Sequence, residues 1–280
     1  MGVKAELCTV KTSGDVFLDK PLHMLSGWGV FVAEIDDRMI EGRIDLAVHS
    51  MKDIPTKRPE GLEIAAVLRR DSPYDILVTK EGSSIDDLKN GAVIGTSSMR
   101  RSAQLRRARP DLIIRSLRGN LQTRLRKLKE GEFDAILLAE AGVQRMGLEL
   151  DYSVLDKEKF VPSANQGTIV VVAKNGTDAH KLVKPLDDSG TRFETMIERR
   201  ILEAVGGGCI VPMAVHAEAE DGKARVLAEV LSLDGKRFVR LDEVIPLEGH
   251  LEAASNLGKR LVDMGGGELV EEAVKAFGSR

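Results

Sequence analysis

Short apolar runs alternate with amphipathic stretches along the first half of the chain. The apolar runs end at turn residues and are followed by stretches with helical periodicity. The predicted strands cover residues 6–11, 44–48, 63–68, 75–79, 92–95, 111–116 and 134–139. The predicted helices cover residues 31–42, 84–89, 98–108, 120–130 and 139–147. This alternation indicates an α/β fold with mixed, largely parallel sheets.

The pattern changes twice in the second half of the chain. After a polar loop at 151–159, the apolar run 168–173 predicts a strand that could return to the first sheet. From Ser189 onward the pattern predicts a helix at 193–205, strands at 211–218, 224–232 and 237–243, and two final helices. We therefore predict a discontinuous lobe 1 (1–70 and 164–187), a lobe 2 (71–163) and a small C-terminal α+β domain (188–280).

Composition excludes several classes of protein. Of the 280 residues, 42% are hydrophobic and only 4% are aromatic, and no apolar run is long enough to span a membrane. The first residues, MGVKAELCTVKTSGD, contain no signal-peptide core, which predicts a cytoplasmic protein. Histidines and cysteines do not show metal-ligand spacing, so we predict no metal site and no disulfide.

Positive charge is concentrated between Thr96 and Lys129. This stretch holds nine arginines and two lysines against one acid, Asp111, and so carries about +10. The whole chain has a formal charge of −3, so the other residues sum to about −13. Arginine suits bidentate binding of carboxylate or phosphate, and the excess therefore predicts a multiply anionic partner.

Two predicted helix starts lie within this basic stretch. Thr96-Ser97-Ser98 follows the strand 92–95, and Asn120 follows Gly119 after the strand 111–116. Residues of these types cap helix N-termini, where free backbone N–H groups attract anions. Arg115 and Arg118 emerge near the carboxyl end of a strand, where open α/β sheets bind ligands.

Nucleic acid is the competing partner for so basic a stretch. However, no aromatic residue lies between positions 96 and 129, so the stacking platform typical of single-strand binders is missing. We therefore predict neither a nucleic-acid nor a membrane partner. The outer arginines follow a helical spacing that would face solvent: Arg106, Arg107, Arg109 and Arg126.

Two further stretches could carry chemistry. Lys52 and Asp53 follow a predicted strand, where Asp53 could act as an acid, a base or a stabiliser of a cation; the alternative is a turn with an incidental ion pair. Cys209 follows three glycines and could be a nucleophile or an attachment point. The alternative for a lone cysteine is a small buried residue, which fits Cys8 in its predicted strand.

These stretches, in this order, resemble the porphobilinogen deaminase (hydroxymethylbilane synthase) family. The matching segments are DLAVHSMKDIP (45–55), IGTSSMRRSAQL (94–105), RPDLIIRSLRGNLQTRL (109–125), EFDAILLAEAGVQRMGL (132–148), ANQGTIVV (164–171) and GGGCIVPMAVHAE (206–218). The resemblance implies two periplasmic-binding-protein-like lobes around a cleft, plus a small domain that carries the cysteine. It also implies a monomer.

The resemblance implies a transferase. Family members join four porphobilinogen molecules head to tail, release ammonia, and produce the linear tetrapyrrole hydroxymethylbilane. The chain is primed on a dipyrromethane cofactor held by a thioether, and Cys209 matches its attachment point. Asp53 matches the catalytic aspartate, which assists ammonia loss, stabilises an azafulvene cation and helps remove a ring proton.

The resemblance also assigns the binding residues. Each pyrrole carries an acetate and a propionate, which explains the need for cations. The matching carboxylate-binding arginines are Arg100, Arg101, Arg118, Arg124 and Arg145. Hydrogen bonds are implied from Lys52, Thr96, Ser97, Ser98 and Asn120. Phe31 is expected to pack over a pyrrole ring, and Gln166 is expected in the crossover between lobes.

The sequence departs from the family pattern at two places. The usual first strand, R-I-A-T-R-x-S-P-L-A, and its helix have no match, which we interpret as a misplaced sequence start rather than a working minimal enzyme. Trp28 replaces a lysine that is frequent in the loop over the cleft. The alternative to the enzyme is a non-catalytic two-lobed anion-binding protein, or an inactive truncated form.

Overall fold

The computed structural model describes residues 3–10, 32–56 and 58–278. The chain divides into two compact units. Unit 1 comprises Met1–Leu68 and Ile169–Asp188, and unit 2 comprises Arg69–Thr168 and Ser189–Arg280. The discontinuity of the first unit agrees with the sequence pattern, whereas the division into three domains stays a prediction. Phe31 and Trp28 lie outside the described residues.

The helices and strands of the described residues are numbered here in chain order. The helices are α1 Ala33–Ile40, α2 Met99–Ala108, α3 Leu121–Glu130, α4 Glu140–Arg145, α5 Asp178–Val183, α6 Ser189–Val205, α7 His250–Leu261 and α8 Gly267–Gly278. The strands are β1 Leu46–Ser50, β2 Leu62–Val67, β3 Asp75–Thr79, β4 Val93–Gly95, β5 Ile113–Arg115, β6 Ala135–Ala139, β7 Tyr152–Val154, β8 Ile169–Lys174, β9 Met213–Glu220, β10 Lys223–Leu231 and β11 Phe238–Pro246.

The described sheet of unit 1 has the order β1-β8-β2. The predicted return of the strand near 168–173 to this sheet is confirmed, because β8 lies between β1 and β2. It runs antiparallel to both neighbours. Helix α1 covers one face of the sheet, where Met39 packs against Ala47, Leu62 and Val172. This packing fixes β1, which leads directly to Asp53.

The five-stranded sheet of unit 2 has the order β5-β4-β6-β3-β7. Its parallel pairs are β4–β5 and β4–β6, whereas β3 is antiparallel to β6 and β7. Every residue of β3 is buried, which matches its apolar centre Ile76-Leu77-Val78, and the polar Asp75 and Thr79 at its ends are buried as well. The predicted α/β fold with mixed sheets is confirmed, but "largely parallel" is wrong for the described strands, since parallel pairing is confined to these three neighbours.

The C-terminal part of unit 2 is an antiparallel sheet, β9-β10-β11, covered by helices α6 and α7. The tip of the β10–β11 hairpin lies against helix α2. Gly235 has a φ of +74°, and a Cβ at this position would lie 2.2 Å from Ala103 O. Glycine is therefore needed for this close approach, which sets the C-terminal sheet directly on the helix of the basic stretch.

Three predicted elements are wrong. Residues 3–10 contain no strand, and Cys8 is exposed rather than buried. No described strand offers this segment a hydrogen-bonding partner. Residues 84–89 form turns instead of a helix, and within them Asp87 accepts hydrogen bonds from the backbone and hydroxyl of Ser84. The predicted polar loop at 151–159 contains a strand, β7, which pairs with β3.

The described residues include no helix that is both long and apolar enough to cross a membrane. They also include no group of three or more His, Cys, Asp or Glu side chains that could hold a metal ion.

Candidate functional site

The N-termini of α2 and α3 lie at the same edge of the five-stranded sheet. Strands β4 and β5 are parallel, with Gly95 opposite Arg115, so their carboxyl ends are adjacent. The predicted caps are confirmed: Ser98 Oγ accepts from Arg101 N at 3.4 Å, and Asn120 Oδ1 accepts from Thr123 N at 2.9 Å. Two helix N-termini with free N–H groups therefore open at one edge.

Hydroxyl groups join the two strand ends. Ser97 Oγ donates to Leu117 O at 2.8 Å and lies 2.9 Å from Ser116 Oγ. Thr96 Oγ1 accepts from Ser98 N at 3.2 Å. These contacts hold the loops that precede α2 and α3 in place. Ser116 is not among the residues predicted from the sequence, where its only signal is its position directly after the strand that became β5.

Three guanidinium groups lie close together at this edge. Burial lowers the pKa of Arg124, and the positive charges of Arg101 and Arg118 lower it further. Arg124 Nε donates to Gly119 O at 2.8 Å. Among the described residues, no carboxylate is found to offset the effect of these like charges on Arg124. The arrangement favours binding of an anion, which would relieve the repulsion.

A buried aspartate holds two arginines of the basic stretch. Asp75 lies 2.5 Å from Arg100 Nη1 and 2.7 Å from Arg101 Nη2. Burial of Asp75 raises its pKa, but the two guanidinium groups outweigh this and hold the pKa well below its usual range. Arg100 and Arg101 thus have an internal carboxylate partner, and their direct contact with a ligand stays a prediction. Asp75 is not among the residues predicted from the sequence, where its only signal is a charge at the start of an apolar strand.

The predicted residues Gln166 and Arg145 lie in unit 2. Gln166 is buried, and its Nε2 donates to Asp75 Oδ1 at 2.8 Å. Arg145 donates from Nε to Asp71 Oδ2 at 2.7 Å and from Nη2 to Gly167 O at 2.6 Å. The Arg145–Asp71 pair is partly exposed. Such a pair is weak, so Arg145 could exchange Asp71 for a ligand carboxylate.

The outer arginines differ from one another. Arg106 is exposed, and Arg126 is exposed and paired with Glu130, as predicted. The prediction is wrong for Arg107, which binds the fully buried Glu229, and for Arg109, which binds Asp111. Both side chains are less than one-fifth exposed. The reason is tertiary, because other parts of unit 2 cover this side of α2.

In unit 1, a short 3₁₀ turn, Met51–Asp53, follows β1. Met51 and Ile54 are buried in the core, whereas Lys52 and Asp53 between them are exposed. The apolar anchors on both sides fix the turn, so the carboxylate of Asp53 projects from a rigid strand end. This is the position that the sequence predicted for a catalytic group.

His49 precedes this turn and was not among the predicted site residues. Burial and the nearby charge of Arg58 lower its pKa to about 4, so the ring is neutral at neutral pH. Arg58 pairs with Asp36 at 2.6 Å. Within the described residues, Arg58 Nε and Nη1 are buried without hydrogen-bond partners.

The glycine run before Cys209 has an unusual backbone. Gly206, Gly207 and Gly208 all have positive φ, between 71° and 83°. A Cβ at Gly207 would lie 2.4 Å from Val211 Cγ2. Only glycine fits this conformation without strain. The run ends helix α6 and leads into a 3₁₀ turn, Gly208–Ile210, that contains Cys209.

A buried ion-pair network lies inside unit 2, around Glu198. Arg70 Nη1 is 2.7 Å from Glu198 Oε1, and Glu198 also accepts from the backbone N–H of Asn165 and Ala217. His216 Nε2 is 3.2 Å from Glu218, but its Nδ1 is 3.6 Å from Glu198, an ion-pair distance rather than a hydrogen bond. Burial lowers the pKa of His216, but these carboxylates outweigh it and raise the pKa.

We expect His216 to stabilise the folded protein at acid rather than alkaline pH. A pKa raised by folding gives stability that is complete below the unfolded pKa near 6.5 and lost as the pH rises through the folded value. His216→Gln should therefore destabilise the protein more at pH 6 than at pH 9 in chemical denaturation. His180→Gln, which removes a ring loosely paired with Glu63 at 3.6 Å, is the control. Equal losses at both pH values for His216→Gln would contradict the expectation.

Comparisons with known families match nearly the whole chain. Residues 1–182 match the family model described as "Porphobilinogen deaminase, dipyromethane cofactor binding domain". Residues 192–264 match the model "Porphobilinogen deaminase, C-terminal domain".

Curated relatives are similar over almost their full length. "Probable porphobilinogen deaminase" of Methanococcoides burtonii is 57% identical over 95% of this chain and 86% of its own. The protein of the same name from Methanosarcina acetivorans is 54% identical over 98% of this chain and 87% of its own. "Porphobilinogen deaminase" of Syntrophobacter fumaroxidans is 42% identical over 98% of this chain and 90% of its own.

Solved structures show a weaker likeness. An ancestral cationic amino acid solute-binding protein is 17% identical, with a TM-score of 0.37 over 55% of this chain and 67% of its own. An amino acid ABC transporter substrate-binding protein from Streptococcus pneumoniae, bound to L-arginine, is 18% identical, with a TM-score of 0.35 over 54% of this chain and 63% of its own.

Proposed function

Because the chain belongs to the porphobilinogen deaminase family, we propose that it is a transferase that condenses porphobilinogen. Four porphobilinogen molecules and one water give one linear hydroxymethylbilane and four ammonia molecules. We further propose a cytoplasmic monomer with three domains, in which the separate C-terminal family match at 192–264 supports the third domain.

The guanidinium cluster of Arg101, Arg118 and Arg124 carries this proposal. Each porphobilinogen has an acetate and a propionate, so the growing product gains two carboxylates with every addition. A site for such a chain needs concentrated positive charge, and the pKa of Arg124 is lowered by burial and by the like charges of Arg101 and Arg118. Carboxylates bound to these groups would relieve repulsion and form charge-assisted hydrogen bonds.

Further groups would complete carboxylate binding. Arg145 can exchange its exposed partner Asp71, and the N-termini of α2 and α3 offer backbone donors. Arg100 and Gln166 would act mainly through Asp75, to which both are bound. The remaining proposed contacts are carried over from the resemblance alone: Lys52, Thr96, Ser97, Ser98, Asn120 and Phe31.

The family model for residues 1–182 names a dipyrromethane cofactor, and the residues of this chain fit such a group. Its carboxylates suit the guanidinium cluster. Cys209 lies in the turn that follows three glycines with positive φ angles. We propose that the Cys209 thiol holds the cofactor by a thioether. When bound, the cofactor supplies a pyrrole carbon to which substrate units are added. Of this chain's own residues, Cys209 would anchor the cofactor and the arginines would orient its carboxylates.

Asp53 is the proposed catalytic residue. It is an exposed carboxylate on a turn held by buried neighbours on both sides. When ammonia leaves porphobilinogen, positive charge develops on the pyrrole, and a fixed carboxylate stabilises that charge. The same carboxylate can then accept the proton that the attacked ring carbon loses.

The direct test is incubation of the purified protein with porphobilinogen. We expect one ammonia released per porphobilinogen consumed and a tetrapyrrole of four units, identified by mass spectrometry. Binding of porphobilinogen without any ammonia release would instead indicate a non-catalytic anion-binding protein.

We expect Arg124→Gln to weaken use of porphobilinogen strongly. Loss of one charge-assisted hydrogen bond should lower kcat/KM by about 10- to 100-fold. Arg126→Gln is a matched control, because Arg126 is on the same helix but exposed and paired with Glu130. Its kcat/KM should stay within about twofold. Similar values for the two variants would remove Arg124 from the binding site.

A further inference from the structure

One glutamine joins the arginines at the start of α2 to the C-terminal sheet. Gln104 lies one helical turn after Arg100 and is fully buried. Its Oε1 accepts from Arg100 Nη1 at 3.1 Å. Its Nε2 donates to Val161 O at 2.9 Å and to Glu229 Oε1 at 2.8 Å. The side chain thus contacts one donor and two acceptors.

These partners fix the orientation of the Gln104 amide. The carbonyl of Val161 and the carboxylate of Glu229 only accept hydrogen bonds, so they require the amino group. The guanidinium of Arg100 only donates, so it requires the oxygen. A flipped amide would set like groups against each other in a buried site, where unmade hydrogen bonds are costly. Gln104 therefore has one stable orientation, set by its neighbours.

The series of contacts through Gln104 is held at both ends by ion pairs. Glu229 on β10 is fully buried and is 2.9 Å from Arg107 Nη1. At the other end, Arg100 shares Asp75 with Arg101, through the two different oxygens of that carboxylate. A shift of Arg100 would therefore move Asp75 and then Arg101. Arg101 is one of the two cations whose charge lowers the pKa of Arg124.

We propose that Gln104 is a positioning residue for the carboxylate-binding arginines, and that through it the C-terminal sheet sets the geometry of the guanidinium cluster. The inference rests on the proposed function, since the affected ligand is porphobilinogen. Gln104 acts through Arg100 and Asp75 and has no direct contact with the substrate. Its effect should therefore appear in substrate binding before it appears in the chemical step.

The test is Gln104→Met, which keeps the length of the side chain and removes its hydrogen bonds. We expect KM for porphobilinogen to rise about three- to tenfold, as is usual for coupled neighbours, with kcat changed less than about twofold. Gln122→Met is the matched control, because Gln122 is an exposed residue on helix α3. Its KM and melting temperature should match those of the wild type.

A second variant guards against loss of folding. In Gln104→Glu/Glu229→Gln, the amide and carboxylate exchange places, so the network keeps its total charge and an acceptor for Arg100, although Val161 O loses the donor from Gln104 and Arg107 loses its carboxylate partner. KM and melting temperature should lie closer to the wild type than in Gln104→Glu alone, in which two carboxylates face each other. A lower melting temperature with unchanged KM in Gln104→Met would overturn the positioning role. If the wild type itself releases no ammonia, the proposed function fails; if it does, these outcomes concern Gln104 alone.

Discussion

Cys209→Ser should yield a protein without cofactor and without turnover. The intact mass of the wild type should exceed the sequence mass by one dipyrromethane, whereas the variant should show the sequence mass alone. A serine hydroxyl is a far weaker nucleophile than a thiolate and does not replace it in forming the thioether. Ehrlich's reagent should colour the wild type and leave the variant uncoloured.

The chain provides a matched control for this experiment. Cys8 is the other cysteine of the sequence, and it is an exposed free thiol in unit 1. Cys8→Ser should keep the added mass, the colour and the turnover of the wild type. If Cys209→Ser retained the added mass while Cys8→Ser lost it, the attachment point would be Cys8. An unmodified wild type from a porphobilinogen-producing host would refute covalent attachment altogether.

Asp53→Asn should keep the cofactor and lose most of the turnover. Removal of a group that stabilises charge and transfers a proton typically lowers kcat by about 10²- to 10⁴-fold. The amide is nearly isosteric, and Asp53 is exposed on a turn that Met51 and Ile54 hold. The fold and the melting temperature should therefore remain close to those of the wild type.

Asp45→Asn makes the same chemical change at another exposed position of unit 1. It should leave kcat, KM and the intact mass unchanged. Ammonia release under saturating porphobilinogen measures kcat for both variants. If Asp53→Asn kept wild-type kcat, the carboxylate of Asp53 would have no part in the reaction, and another acid would have to be sought.

Local sequence signals predicted the helix starts well. Ser98 and Asn120 are caps, and α2 and α3 begin directly after them, within a residue of the predicted positions. Such caps depend on a side chain and a backbone group three residues apart, so the sequence contains all the necessary information. The strand predicted at 75–79 is also found, as β3, with the apolar residues 76–78 at its centre.

Local signals failed at two segments, for two different reasons. Residues 84–89 have a helical pattern, but the Ser84–Asp87 turn replaces the helix. Residues 152–154 lie in the stretch 151–159 that was predicted to be a polar loop, and they form a strand because β3 provides an antiparallel partner. Neither result could be read from the periodicity of the segment, since the turn depends on side-chain hydrogen bonds and the strand on its neighbour.

The sequence by itself determined the α/β class, the basic stretch, the two helix N-termini, and a family motif with Asp53 and Cys209. It could not assign partners to the individual arginines. Arg101 pairs with Asp75 across 26 positions, and Gln104 joins Glu229 across 125. Only the tertiary structure separates the arginines held by internal carboxylates from Arg124, which no carboxylate of the described residues offsets. The physical reason is that ion pairing depends on distances of a few ångströms, and these are set when remote segments fold against one another.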